Sequence, residues 1–283
     1  MTHPIDLKTI IKTSETLLSL PDICFQLKRI VDDPDSSADD LAKLIVKDPA
    51  LTARLLKLVN SAIYYFPRQV SSLKHAITLV GTQQLYILAL ATSATAIIRS
   101  VEDVQIELET LWKHSVYSAV IAEKIATQKG LDKESLFVAG LLGNIGTLAV
   151  VKYDPEITLK AITPKESNQL PWQREEEVLG FTMAEAGASL LDAWGLPDEI
   201  IAPIRYHHSP MYAKAFLKSS CALNIATRMA SGILKEEQSQ EHNFLEIIDE
   251  YALTMLEISE EELVSIQAQA EEIGPEMLNI FTS

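Results

Sequence analysis

Leu20–Gly81 reads LPDICFQLKRIVDDPDSSADDLAKLIVKDPALTARLLKLVNSAIYYFPRQVSSLKHAITLVG. Its punctuation is helical throughout. Leu17, Leu18 and Leu20 lead into Pro21-Asp22, a start for a helix over Ile23 to Val31, and Asp33-Pro34-Asp35 breaks it. Ser37 with Asp40 three residues on makes a capping box for Ala38 to Val46. Asp48-Pro49 is a second start, because Asp accepts from free N–H groups and Pro suits the first helical position. Leu51, Leu55, Leu58 and Val59 then share one face, and Pro67 closes the hairpin. A short helix from Ser72 to Val80 ends at Gly81, and Thr82 caps the next, Gln83 to Arg99.

The same punctuation continues outward. A long helix is predicted from about Val104 to Gln128, with Gly130 as its stop and Asp132 as the next cap. Lys133 to Val151 reads as one helix. Asp154-Pro155, Thr163-Pro164 and Leu170-Pro171 mark an irregular connector. Thr182 caps a helix to Trp194, Gly195 ends it, and Pro197-Asp198 opens another to His207. Further helices are predicted near Lys214–Leu234, Phe244–Leu256 and Glu260–Ile273, the last with a Ser259/Glu262 capping box. No run alternates with period two between turns. The expected fold class is all-α, about a dozen helices, and the apolar fraction of 47% with only 6% aromatic suits close helix packing.

Charge excludes some partners. The chain carries 24 Lys+Arg against 39 Asp+Glu, a net −15, which repels phosphate backbones and anionic lipid. Neither nucleic acid nor membrane is expected. Residues 236–283 hold thirteen acidic residues and no Lys or Arg, so that segment alone carries −13. Phe244, Leu245, Ile247, Ile248, Tyr251, Leu253 and Leu256, then Leu263, Ile266 and Ile273, give it apolar stripes, so ordered helices docked on the rest are expected rather than a disordered tail. Cys24 and Cys221 sit far apart in apolar surroundings and read as buried, reduced thiols. The start, MTHPIDLKTI, lacks a basic region followed by an apolar core, so a cytoplasmic location is expected.

Two stretches carry a resemblance. In Leu20–Gly81, the points Leu20-Pro21, Asp48-Pro49 with Leu51, Asn60-Ser61, Val70-Ser71-Ser72, Ala76-Ile77 and Leu79-Val80-Gly81 resemble the opening half of the HDOD domain, the "HD-related output domain". Further on, Leu111–Ser115, Ala139–Gly146, and Glu185–Ala188 through Leu196-Pro197 to His207-His208 look like its HD half. The resemblance covers about residues 10–235. It implies an N-terminal helical lobe (1–100), an HD-like lobe (101–235) and an acidic helical extension (236–283). Asp48, Pro49, Asn60, Ser61 and Gly81 also have structural readings: helix start, backbone satisfaction at a helix end, and left-handed stop.

HD phosphohydrolases bind metal through a first His, an adjacent His-Asp pair, sometimes further His residues, and a late Asp. The metal lowers the pKa of a bound water and clamps phosphoryl oxygens. Carried over, the first His is His114, the His-Asp pair is replaced by Gly143-Asn144, a further His position is Met183, His207-His208 survives, and the late Asp is Thr227. Two metal ions would bring four positive charges to motif positions that hold no carboxylate. No metal and no cofactor are expected, and no catalytic residue is assigned. Gly140, Gly143 and Gly146 read as permitting close helix approach, and Glu175-Glu176-Glu177 as a solvated face. The resemblance implies a bacterial signalling output acting on a protein partner in trans. The rivals are a metal-dependent phosphohydrolase on nucleotides or cyclic dinucleotides, and a metal-free sensor that uses the vestigial pocket.

Overall fold

The computed structural model describes residues 6–18, 21–64, 66–99, 107–165, 169–237 and 248–282. Among them every element is helical: sixteen α-helices and two short 3-10 turns, with no strand. Several caps are those the sequence names. Ser37 and Asp40 form the reciprocal capping box of α3 (Ala38–Ile45), and Asp48 Oδ1 accepts Leu51 N at 2.9 Å at the head of α4 (Pro49–Val59). Ser72 caps α5 (Leu73–Val80), which stops at Gly81 with φ +95°, a value that favours glycine.

Helices α2 (Asp22–Asp32), α3, α4, α5 and α6 (Thr82–Arg99) pack on one another. A second group centres on α7 (Leu108–Lys129), which lies between α8 (Lys133–Leu142) and α14 (Leu217–Glu237). It also includes α9 (Ile145–Tyr153), α12 (Met183–Ala193) and α13 (Asp198–Tyr206). The groups meet where α6 packs on α8, and one continuous apolar core runs through both. α1 (Leu7–Leu17), near in sequence to the first group, packs instead on α9 and α12, where Ser14 Oγ donates to Ala149 O at 3.3 Å.

Close approach is built from glycine. A Cβ on Gly140 would lie 2.6 Å from Ala119 Cα, and one on Gly146 would meet Met183 O and Gly187 N across the α9–α12 contact. Asn60 closes the loop after α4: its Nδ2 donates to Leu56 O (2.7 Å) and Val70 O (2.8 Å), and its Oδ1 accepts Val70 N (2.7 Å). Ser61 Oγ donates to Leu58 O at 2.6 Å. Both free cysteines, Cys24 and Cys221, are buried.

Several sequence expectations are corrected. Thr82 lies inside α6 rather than capping it, Lys214–Phe216 is a 3-10 turn that precedes α14, and the helix from Glu260 runs on past Ile273 to Thr282. Lys133–Val151 is not one helix: it breaks at Gly143-Asn144, where Asn144 takes φ −93°, ψ 5° and turns its side chain toward α7. The run Lys133–Tyr153 is apolar enough to cross a membrane by composition, yet 83% of its most apolar window is buried inside the protein. The connector contains two helices, α10 (Pro155–Ile162) and α11 (Pro171–Leu179), because each proline occupies a first-turn position and starts a helix. Glu175 is not on a solvated face; it is buried, while Glu176 and Glu177 are exposed.

In the acidic segment, α15 (Glu250–Leu256) packs on α14. α16 (Glu260–Thr282) lies along α7 and touches α4, burying Leu263, Ile266, Ala270, Ile273 and Met277. Glu262 pairs with Lys129 at 2.7 Å and accepts the backbone N–H of Ser259 at 2.7 Å. Phe244, Leu245 and Ile247 lie outside the described residues.

Candidate functional site

Five helices and one helix break converge on a cavity of about 200 Å³: α7, the α8–α9 break, α11, the start of α12, the end of α13 and α14. His114, Gly143, Asn144, Met183, His207, His208 and Thr227 all line it. Asp48, Pro49, Asn60, Ser61 and Gly81 lie elsewhere, at the ends of α4 and α5.

His114 is held on both sides of its ring. Nε2 is 3.0 Å from Thr227 O and 3.0 Å from Ser231 Oγ, both on α14. Nδ1 is 3.0 Å from Asn144 Nδ2. The tautomer follows from the network. Ser115 Oγ donates its proton to Leu111 O at 3.1 Å, so it can only accept from Asn144 Nδ2 at 2.9 Å. Asn144 therefore presents its amino group to His114, whose Nδ1 accepts, and Nε2–H donates to α14. Burial pushes the His114 pKa down, against the bond to Thr227 O, which pushes it up.

The other two imidazoles are neutral as well. His207 is buried, its Nδ1–H donates to Ile204 O at 2.7 Å, and burial lowers its pKa to about 4. His208 is held well below its ordinary value, by burial first and then by His207 and Arg228. The rings form a column: His207 to His208 at 3.8 Å, then His208 stacked on Trp172 at 4.4 Å and 15°. The Arg228 guanidinium lies 5.1 Å from the Trp172 ring centre.

Trp172, Glu175, Arg228, Ser118 and Ser231 line the cavity too, and sequence reasoning missed them. Spacing held the signal. Ser118 is one helical turn beyond His114, Arg228 follows Thr227, and Glu175 lies three residues from Trp172 on the same helix face. Glu175 Oε2 accepts Met183 N at 2.7 Å, at the head of α12. Burial still dominates and raises its pKa to about 7. Ser118 Oγ is fully buried and has no partner among the described residues.

The HDOD domain matches residues 17–210. The chain belongs to the HDOD family. A curated relative by sequence is an uncharacterized protein of Treponema pallidum (strain Nichols), 28% identical over 227 residues, which are 77% of this chain and 44% of that protein. The chain thus spans less than half the length of the curated relative it matches. Among solved structures, "Putative phosphohydrolase" from Shewanella amazonensis SB2B is similar at TM-score 0.73 and 25% identity, covering 96% of this chain and 97% of that one. "Putative signal transduction protein" from Marinobacter aquaeolei VT8 shares the fold at TM-score 0.68 and 19% identity, covering 98% of this chain and 65% of that one.

In this HDOD chain the donor set does not fit a dinuclear HD metal centre. Both ring nitrogens of His114 are engaged, and the Asn144 group facing it is a hydrogen-bond donor. Gly143 offers no ligand atom. Thr227 Oγ1 is turned back onto Leu223 O and Asn224 O. Glu175, the carboxyl group among the cavity's described lining residues, is tied to Met183 N. No group of three or more His, Cys, Asp and Glu among the described residues is arranged to hold a metal ion.

Proposed function

We propose that this HDOD protein is a non-catalytic, cytoplasmic regulator in bacterial signal transduction that acts by contact with a protein partner. One observation carries the reading. At the position of the family's first metal-ligating His, His114 is spent as a clasp that ties α7 to α14 and to the α8–α9 break. A dinuclear HD centre needs an imidazole lone pair directed into the cavity and a carboxylate to bridge its metals. His114 supplies neither, and Asn144 is neutral. The Marinobacter relative's name agrees with a signalling role.

Activity decides between this and hydrolysis. The purified protein is assayed with Mn²⁺, Mg²⁺ and Ni²⁺ against generic phosphoesters and cyclic dinucleotides. No turnover above buffer is expected. Turnover that His114→Ala abolishes would overturn the reading.

A second reading is favoured by Ser118, whose buried hydroxyl lines the cavity unpartnered. In it the cavity senses a small polar ligand without metal. Native mass spectrometry of the purified chain would then show a bound molecule, lost in Ser118→Ala.

A further inference from the structure

Two grooves outside the cavity share Tyr212 as a lining residue. The first, about 390 Å³, has Trp172, Glu176, Glu185, Arg205 and Tyr206 on its walls. The second, about 360 Å³, has Asp192, Asp198, Arg205, Lys214 and Phe216. Tyr212 lines both. It is 66% exposed, the most exposed large apolar residue among those described, and Met211 beside it is 56% exposed. Two adjacent large apolar side chains held in water at the edge of a groove mark an interaction site.

The backbone here is also unusual. Pro210–Tyr212 and Lys214–Phe216 are consecutive 3-10 turns, and Lys214 takes φ +50°, a left-handed conformation disfavoured for a residue with a Cβ. The turns hold Tyr212 and Met211 outward at that cost. The first groove and the cavity share a wall, because Trp172 and His208 line both. The stacked pair is a partition with the cavity on one side and the groove on the other.

Charge names the occupant. Glu176, Glu185, Asp192 and Asp198 face Arg205 and Lys214 along the grooves, four carboxylates against two cations. The surface is anionic on an anionic chain, which disfavours a second copy and an acidic partner.

We propose that the Pro210–Tyr212 turn and its flanking grooves dock a basic, amphipathic segment of a partner protein, with an apolar side chain seated against Tyr212, and that the Trp172–His208 partition transmits occupancy between groove and cavity. The proposal rests on the protein-contact reading above and locates that contact.

The test places the photo-crosslinker p-benzoylphenylalanine at position 212 or at position 264 of the full chain in its bacterial host. Val264 is 54% exposed on α16 and serves as the comparison. Crosslinked segments are identified by mass spectrometry. Position 212 is expected to capture one identified protein through a segment with net positive charge and a large apolar residue, and position 264 is not. That segment, made as a peptide, should bind the chain, and Tyr212→Ala and Met211→Ala should each weaken binding about tenfold with unchanged circular dichroism. Binding should also change tryptophan emission in the native chain and not in Trp172→Phe. Capture at 264 alone would overturn this surface while leaving the protein-contact reading standing. Capture at neither would overturn both. A crosslink between copies, or to an acidic segment, would overturn the assigned occupant, and unchanged emission would overturn the partition.

Discussion

Replacing Glu175 with Gln tests the electrostatics of the cavity directly. The carboxyl group is buried, and Met183 N donates to its Oε2 at 2.7 Å. Desolvation raises its pKa from 4.5 to about 7, helped by Glu176 and Glu185 and opposed by the Met183 bond. The folded chain therefore binds a proton more tightly than the unfolded chain does. Stability from this group is fully present below pH 4.5 and is lost as pH rises to about 7, because in that window the native state holds more protons. At about 1.4 kcal/mol per pH unit the span amounts to roughly 3 kcal/mol. Glu175→Gln keeps the acceptor for Met183 N and removes the ionisation. Urea unfolding from pH 4 to 8 should show the two proteins equal at the acid end and the variant more stable by about 3 kcal/mol at pH 8. A difference that does not grow with pH would refute the argument that burial governs this group.

Asn60→Ala removes both bonds to the backbone of Val70, at an exposed side chain that water replaces, and should cost about 1–2 kcal/mol, read as a fall in Tm of roughly 2–8 °C. Gly146→Ala drives a methyl group into the backbone of α12 at Met183 and Gly187; a loss above about 3 kcal/mol is expected by urea unfolding, or insoluble protein. Asn144→Asp replaces the donor facing His114 Nδ1 with an anion, so the His114 pKa should rise in an NMR titration of the imidazole.

The helix starts were legible because capping is local chemistry. Ser37, Asp48, Ser72, Asp132 and Thr182 each stand within three residues of the N–H they satisfy, and each does so in the structure. The break at Gly143-Asn144 was not legible, since the bond Asn144 makes there reaches a histidine thirty residues away. Prolines 155 and 171 were read as interruptions when they are starts; the two uses look alike until the following turn is known to pack. The site divides the same way. His114, Asn144 and the His207-His208 pair came from a family resemblance and share one cavity. Glu175 was hidden in a run of three acids, where only tertiary packing decides which one turns inward.

The contact of α1 with α9 and α12 bears on how the chain is made. Ser14 and Ala149 are separated by 135 residues. At roughly 5–20 residues per second, Ser14 is made about 7–27 seconds before Ala149. Ile10, fully buried in the finished protein, spends that interval without its partner helices. A helix made early is thus among the later ones to dock, and until α9 and α12 are made its apolar face has no surface to cover it.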